Sequence, residues 1–342
     1  MTRLFVPEPM PGVSVHSLLA HRFSGGKPWR GVFGEGIRNF FETDAVFADT
    51  IGSAGALLLP HNFSRPDDAA HAYIAAQADR AQAAGIPVFA FAFGDINDGD
   101  DFDPRVRVFR LSVYKSTLGP RDIVTPTTAQ SFNDCIARSK TDTPLVSFCG
   151  YAGLKNLRQK LAYHLKNTLW ETCALIRPVL RARKQGIYWR KSAMRALAQS
   201  TLVRTNFIVR RSFSGAMSTI ELAPEAARAE FVESIKNSDF VLTPKGDGNY
   251  SNRFLETLSL GRVPVLIDTD AVLPLEDVID YSKIMVRVPM IDVKNIAAYV
   301  REFYDSLTNE EWQHRQRLAK ETFEKHLRQD AFFRNFFAAL NP

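Results

Sequence analysis

Short apolar runs alternate with helix-period segments along almost the whole chain, and this alternation limits the fold more than any other feature. Strands buried on both faces read as continuous apolar runs, and strands that alternate with helices form parallel sheets through βα crossovers. In the first half the runs at 44–49, 56–60, 87–93 and 106–111 are predicted strands. The alanine-rich stretch 67–84 between them is a predicted helix, closed by Gly85 and Pro87 as a helix end should be. A second series follows at 145–149, 206–210, 240–243, 263–267 and 284–288.

The 342 residues are about twice an ordinary domain, so two α/β domains are expected. Between 117 and 143 the chain carries Gly119, Pro120, Pro126 and a polar run, followed at once by Pro144. This places the boundary at 143/144, with domains over 1–143 and 144–294 and a ligand cleft between them. From 295 to 342 the pattern is helical, with Phe303, Leu307, Trp312, Leu318, Phe323 and Leu327 on apolar faces. Such a tail can cross back to the first domain.

Cys135, Cys149 and Cys173 are the only cysteines and none forms a CxxC pair, so neither a disulfide framework nor a zinc site is expected. Residues 1–11 contain no apolar stretch of signal-peptide length, and no window approaches a membrane span, which predicts a cytoplasmic location. The net charge of +6 is concentrated: residues 155–211 hold fourteen Lys/Arg and a single acid, Glu171. Such a segment suits anions, whether nucleotide phosphate, acidic glycan or anionic lipid. Residues 170–190 are read as a helical hairpin within the second domain, with peripheral contact to an anionic membrane as the alternative. Nucleic acid is not favoured as a partner, because no recognised binding module accompanies the cations. A Rossmann dehydrogenase is set aside because no GxGxxG follows a predicted strand.

The most informative stretch is 238–289, which reads as strand, glycine-containing loop, short helix, glycine stop and strand. Gly246 and Gly248 would let the backbone approach a ligand or take positive φ, and Ser251 or Asn252 can cap the helix. An anion sits well at that N-terminus, where free N–H groups and the helix dipole converge. Arg253 in the first turn opposes the dipole and therefore calls for a compensating anion. Glu256, three residues on, either pairs with Arg253 or accepts hydrogen bonds from ribose hydroxyls.

The segment SNRFLETLSLGRVPVLI, followed by LPLEDVIDYSKIMV, resembles the signature block of the exostosin-like glycosyltransferases. The likeness includes Arg253 and Glu256, the Gly261–Pro264–Val265 run, Leu273–Pro274 and the acidic–aromatic pair Asp280–Tyr281, where the family more often has Trp. PLVSFCGYAGLKNLRQKLAYHL resembles the family's strand, small-residue loop and arginine-bearing helix, with Leu154, Leu157, Leu161 and Leu165 as its buried stripe. RDIVTPTTAQ, residues 121–130, is a fainter echo.

This resemblance implies a GT-B architecture: two Rossmann-like domains, the second holding a nucleotide-sugar donor. It implies inverting transfer to a saccharide or glycolipid acceptor during polysaccharide synthesis, such as capsule or lipopolysaccharide, with a UDP-sugar favoured. Arg158, Arg253 and Lys245 would stabilise the departing diphosphate, with Gly246, Ser251, Asn252 and Glu256 completing the donor site. The base is expected at the C-terminal end of a first-domain strand, with Asp95 the first choice and His61 the second. Asp98–Asp100, Asp101–Asp103 and Asp268–Asp270 are Asp-x-Asp triplets of the kind that hold Mg²⁺ or Mn²⁺ elsewhere, yet a metal is not favoured and no cofactor is expected. The alternatives are a fucosyltransferase-like enzyme using a GDP-sugar and a non-catalytic partner subunit of the same fold.

Overall fold

The computed structural model describes residues 2–23, 38–96, 102–133, 135–154, 156–210 and 223–340. The chain divides into two compact units. Unit 1 comprises Met1–Ser131, Val272–Leu275 and Glu324–Pro342; unit 2 comprises Phe132–Ala271 and Glu276–Phe323. The division therefore falls before the proline-rich boundary drawn at 143/144. It also splits the helical tail, leaving 295–323 with unit 2 and 324–342 with unit 1.

Unit 1 is built on a six-stranded, all-parallel sheet of β1 (Arg3–Phe5), β2 (Val46–Phe47), β3 (Ala56–Asn62), β4 (Val88–Ala92), β5 (Val106–Arg110) and β6 (Asp122–Val124), in the order β2-β1-β3-β4-β5-β6. The predicted 44–49 strand shrinks to two residues because a short helix, α1 (Phe40–Thr43), capped by Asn39, ends just before it. Helix α2 (Asp68–Ala83) starts on the Asp67 carboxylate, which accepts from the Ala70 amide, and stops at Gly85, whose φ of +69° only glycine adopts without strain. Its buried Ala70, Ile74, Ala78 and Ala81 pack on one sheet face with Leu57, Leu59, Val88 and Val106.

Unit 2 is a five-stranded, all-parallel sheet of β7 (Leu145–Tyr151), β8 (Arg204–Arg210), β9 (Phe240–Leu242), β10 (Val263–Asp268) and β11 (Val286–Pro289), in the order β11-β10-β9-β7-β8. Its helices are α3 (Leu157–Ile176), α4 (Gly186–Ala198), α5 (Pro224–Lys236), α6 (Asn252–Ser259), α7 (Ile296–Asp305) and α8 (Asn309–Thr322). Trp189, Ala193 and Leu197 of α4, together with Tyr304 and Trp312 of α7 and α8, close the core over Phe148, Phe240 and Val265. The last helix, α9 (Gln329–Ala339), belongs to unit 1, where Phe332, Phe333 and Phe337 pack with Phe89, Phe91 and Phe109. The molecule is thus α/β in both units, as the strand–helix alternation predicts.

One expectation about packing is overturned. The leucine stripe of α3 is not buried: Leu157, Leu161 and Leu165 are 82%, 61% and 63% exposed. The helix is held instead by its opposite side, where Asn167 bonds Gln185 and Ala174 is buried. Glu171 takes ion pairs from Arg181 and Lys184 in the turn that follows. Residues 170–190 accordingly form the end of α3, a 3-10 turn over Pro178–Arg183 and the start of α4, all within unit 2.

Candidate functional site

In the unit 2 sheet β7 leads to β8 on one side, while β9 leads to β10 on the other. The loops leaving β7 and β9 therefore part from each other, and open parallel sheets bind ligands at the carboxyl ends of strands at such a switch point. β7 ends in Gly150 and Tyr151, just before its loop, and the β9 loop carries Lys245 and Gly246.

Three cations meet there. The Arg253 guanidinium reaches back from the first turn of α6 to donate to the Cys149 carbonyl at 2.8 Å and lies 4.4 Å from the Phe148 ring centroid. Arg190, from α4, donates to the carbonyl oxygens of Tyr151 (2.9 Å) and Lys245 (3.3 Å), so one side chain ties the two loops together. Buried Lys245 donates to the Ala182 carbonyl at 2.8 Å.

Their electrostatics share one leading cause. Burial lowers the pKa of all three, Lys245 to about 8 and Arg253 to about 10. Arg190 adds to the effect on Arg253, and Arg183 to that on Lys245. A cation whose charged form is disfavoured in the fold gains from a bound anion. Asp247 offsets part of the charge on Arg190 and Lys245. Glu256, whose own pKa burial raises, is ion-paired with Arg228 of α5 rather than with Arg253, so the i,i+3 pairing does not form. Enclosed Nε atoms of Arg190, Arg210 and Arg253, and Oδ1 of Asn252, have no hydrogen-bond partner among the described residues. The three arginine Nε–H groups are donors that fit an anion with several acceptor oxygens, whereas Asn252 Oδ1 is an acceptor and suits a hydroxyl.

Two glycines are required by close approach. At Gly150 (φ +155°) a Cβ would stand 2.6 Å from Arg253 Nη2, and at Gly186 it would collide with the carbonyl oxygens of Lys245 and Gly246. Gly246 and Gly248 do not take positive φ. The β9 loop is held by bonds from the Gly246 amide to Tyr250 O and from Asn249 to Asp270 O. Ser251 is the N-cap of α6, but its side chain makes no capping bond.

Arg158 is the second residue of α3 and is exposed, and no contact joins it to Arg253 among the described residues. The arginine that does approach Arg253 is Arg190, hidden in the basic run without a motif to mark it. In unit 1, Asp95 follows β4 and is exposed. His61 is buried in β3 with both ring nitrogens committed: Nε2 accepts from the Met10 amide at 2.8 Å and Nδ1 donates to Ser14 O at 2.9 Å. It pins the loop after β1 and has no lone pair left for a substrate proton, which removes it as a base. Asp98, Asp100 and Asp101 lie outside the described residues. Asp103 is bound by Arg105, and Asp268 by Arg287. No group of three or more metal-ligating side chains occurs among the described residues.

Residues 136–303 match the family model of the Exostosin GT47 domain. This segment is an exostosin-like glycosyltransferase domain. It contains β7, the loops of the switch point and Arg190, Lys245 and Arg253. The Exostosin-1 homolog of Caenorhabditis elegans is 40% identical over 72 residues, 21% of this chain and 19% of that protein, so the alignment spans about a fifth of its length. Among solved structures, TarM is 8% identical, with 84% of this chain and 55% of that one covered and a TM-score of 0.41. An alpha-glucosyltransferase in complex with UDP-glucose and DNA containing an abasic site is 12% identical, with 99% of each chain covered and a TM-score of 0.38. Likeness this distant decides nothing about chemistry.

Proposed function

We propose that the chain is an inverting glycosyltransferase that moves a sugar from a nucleoside diphosphate donor, with UDP favoured, to a saccharide hydroxyl in polysaccharide synthesis. The observation that carries this reading is the buried cluster of Arg190, Lys245 and Arg253 at the switch point, where Arg190 ties the two loops together and burial lowers the pKa of each cation. A diphosphate supplies counter-charge to buried cations and acceptor oxygens for the enclosed arginine N–H donors. During displacement, negative charge builds on the leaving diphosphate, and preorganised cations stabilise it most at that moment. Ser251 and Asn252 lie at the N-terminus of α6, where the helix dipole adds to this field. Glu256 completes the proposed donor site, in which Arg190 takes the place expected for Arg158. The base that takes the acceptor proton is proposed to be Asp95. Metal-free transfer and a cytoplasmic site of action, which suits the free Cys135, Cys149 and Cys173, are parts of the same proposal.

Binding is tested directly by melting the protein with UDP, GDP or CMP. A ligand that binds only the native state adds about 2.7 kcal/mol at about 100 Kd, so UDP is expected to raise Tm by several degrees and CMP by much less. A larger rise with GDP would transfer the assignment to a GDP-sugar, and no rise with any of the three would remove the donor site. The pH dependence follows from Lys245. With its pKa lowered to about 8, it is charged below that value and loses its proton as pH rises through it. The last phosphate proton has already left near pH 6, so UDP affinity should fall about tenfold or more between about pH 7 and about pH 9.5. In Lys245→Met the fall should vanish. A flat wild-type profile would exclude Lys245 from the diphosphate.

A further inference from the structure

The exposed leucines of α3 form a surface that the donor site does not use. Leu157, Leu161, Leu165 and Leu169 recur every four residues, and Leu175 and Ile176 continue the stripe to the end of the helix at 78% and 86% exposure. Four-residue spacing keeps them on one broad face, turned away from buried Asn167 and Ala174. Isolated apolar side chains on a surface are ordinary, but six along one face of a single helix are not.

The charge around the row selects what covers it. Lys160, Lys166 and Arg177 are exposed beside the leucines. The one acid of α3, Glu171, has its carboxylate bound by Arg181 and Lys184, so nothing on the helix repels an anion. A second copy of this chain would bring like charges face to face. A purely apolar partner would leave the cations without counter-charge. An anionic lipid surface meets both features, since acyl chains take the leucines while headgroup phosphates face the lysines. No helix among the described residues is long and apolar enough to cross a membrane, so such contact would be made from the side.

We propose that the leucine face of α3 rests on the surface of an anionic bilayer. This stands independently of the glycosyl-transfer reading, because none of these leucines or lysines belongs to the donor site.

Sedimentation with vesicles tests it. The whole chain should pellet with phosphatidylcholine vesicles containing phosphatidylglycerol, fail to pellet with phosphatidylcholine alone, and release at high salt. The double variant L161E/L165E should lower the partition coefficient about a hundredfold or more while leaving Tm unchanged, because both positions are exposed. K160Q/K166Q should lower it about tenfold or more. No pelleting, or equal pelleting with and without the anionic lipid, overturns the proposal. So does a lipid-free dimer, seen by light scattering, that L161E/L165E dissolves, for then the face is a protein interface.

Discussion

Arg253→Ala is expected to lower sugar transfer about 10²–10³-fold, the loss typical when a preorganised donor to developing negative charge is removed. Its guanidinium lies against Phe148, is bonded to Cys149 O and occupies the space that the absent side chain of Gly150 leaves. The same constraint separates function from folding. In the unliganded protein this side chain is a cation disfavoured by burial and by Arg190, so its removal relieves an electrostatic penalty while losing one hydrogen bond. The unliganded Tm should therefore move little, whereas the UDP-induced rise in Tm should disappear. Arg253→Lys should recover only a small part of the activity, because a point charge cannot reproduce the planar fork. A variant that melts several degrees lower yet keeps its full response to UDP would assign Arg253 a structural role and sink the donor-site proposal.

Trp189→Ala is expected to destabilise unit 2 by about 3–5 kcal/mol, the usual consequence of emptying a large core site. Trp189 is fully buried on α4 among Phe148, Phe240 and Val265. The next residue, Arg190, is the one that bridges the β7 and β9 loops, and Gly186 of the same helix packs on the β9 loop carbonyls. Loosening α4 should thus weaken nucleotide binding even in protein that remains folded. Trp189→Phe should restore most of the stability, because the indole N–H has no hydrogen-bond partner among the described residues and only volume is lost. A loss under about 1 kcal/mol for the alanine variant, read from the denaturation midpoint, would mean that α4 is not anchored through this residue.

Much of the architecture is legible in the residues themselves. Continuous apolar runs such as 56–60, 88–92 and 263–267 are strands covered on both faces, and Gly85 and Gly261 end helices at positive φ. Two short strands escape this reading: β1 and β6 have three residues each and gain their order from neighbours already in the sheet. The leucines of α3 show the reverse failure. Their period is that of a core-facing stripe, but period reports which residues share a face and not what that face meets.

The site divides the same way. A loop, a glycine and an arginine in the first turn of a helix announce an anion site around Lys245, Gly246 and Arg253, because those signals are local. Arg190 carries no local signal, since its role comes from the packing of α4 over two loops that are distant in sequence. Likewise the partner of Glu256 is Arg228, not the Arg253 three residues away, and both ring nitrogens of His61, one accepting and one donating, are taken up by a loop some fifty residues earlier. The order of residues determined the α/β class, the switch-point loop and two of its cations, Lys245 and Arg253. Only tertiary structure decided which second arginine joins it, which histidine is spent on the backbone and which leucines stay in water, because burial and pairing depend on contacts between segments that local propensity does not encode.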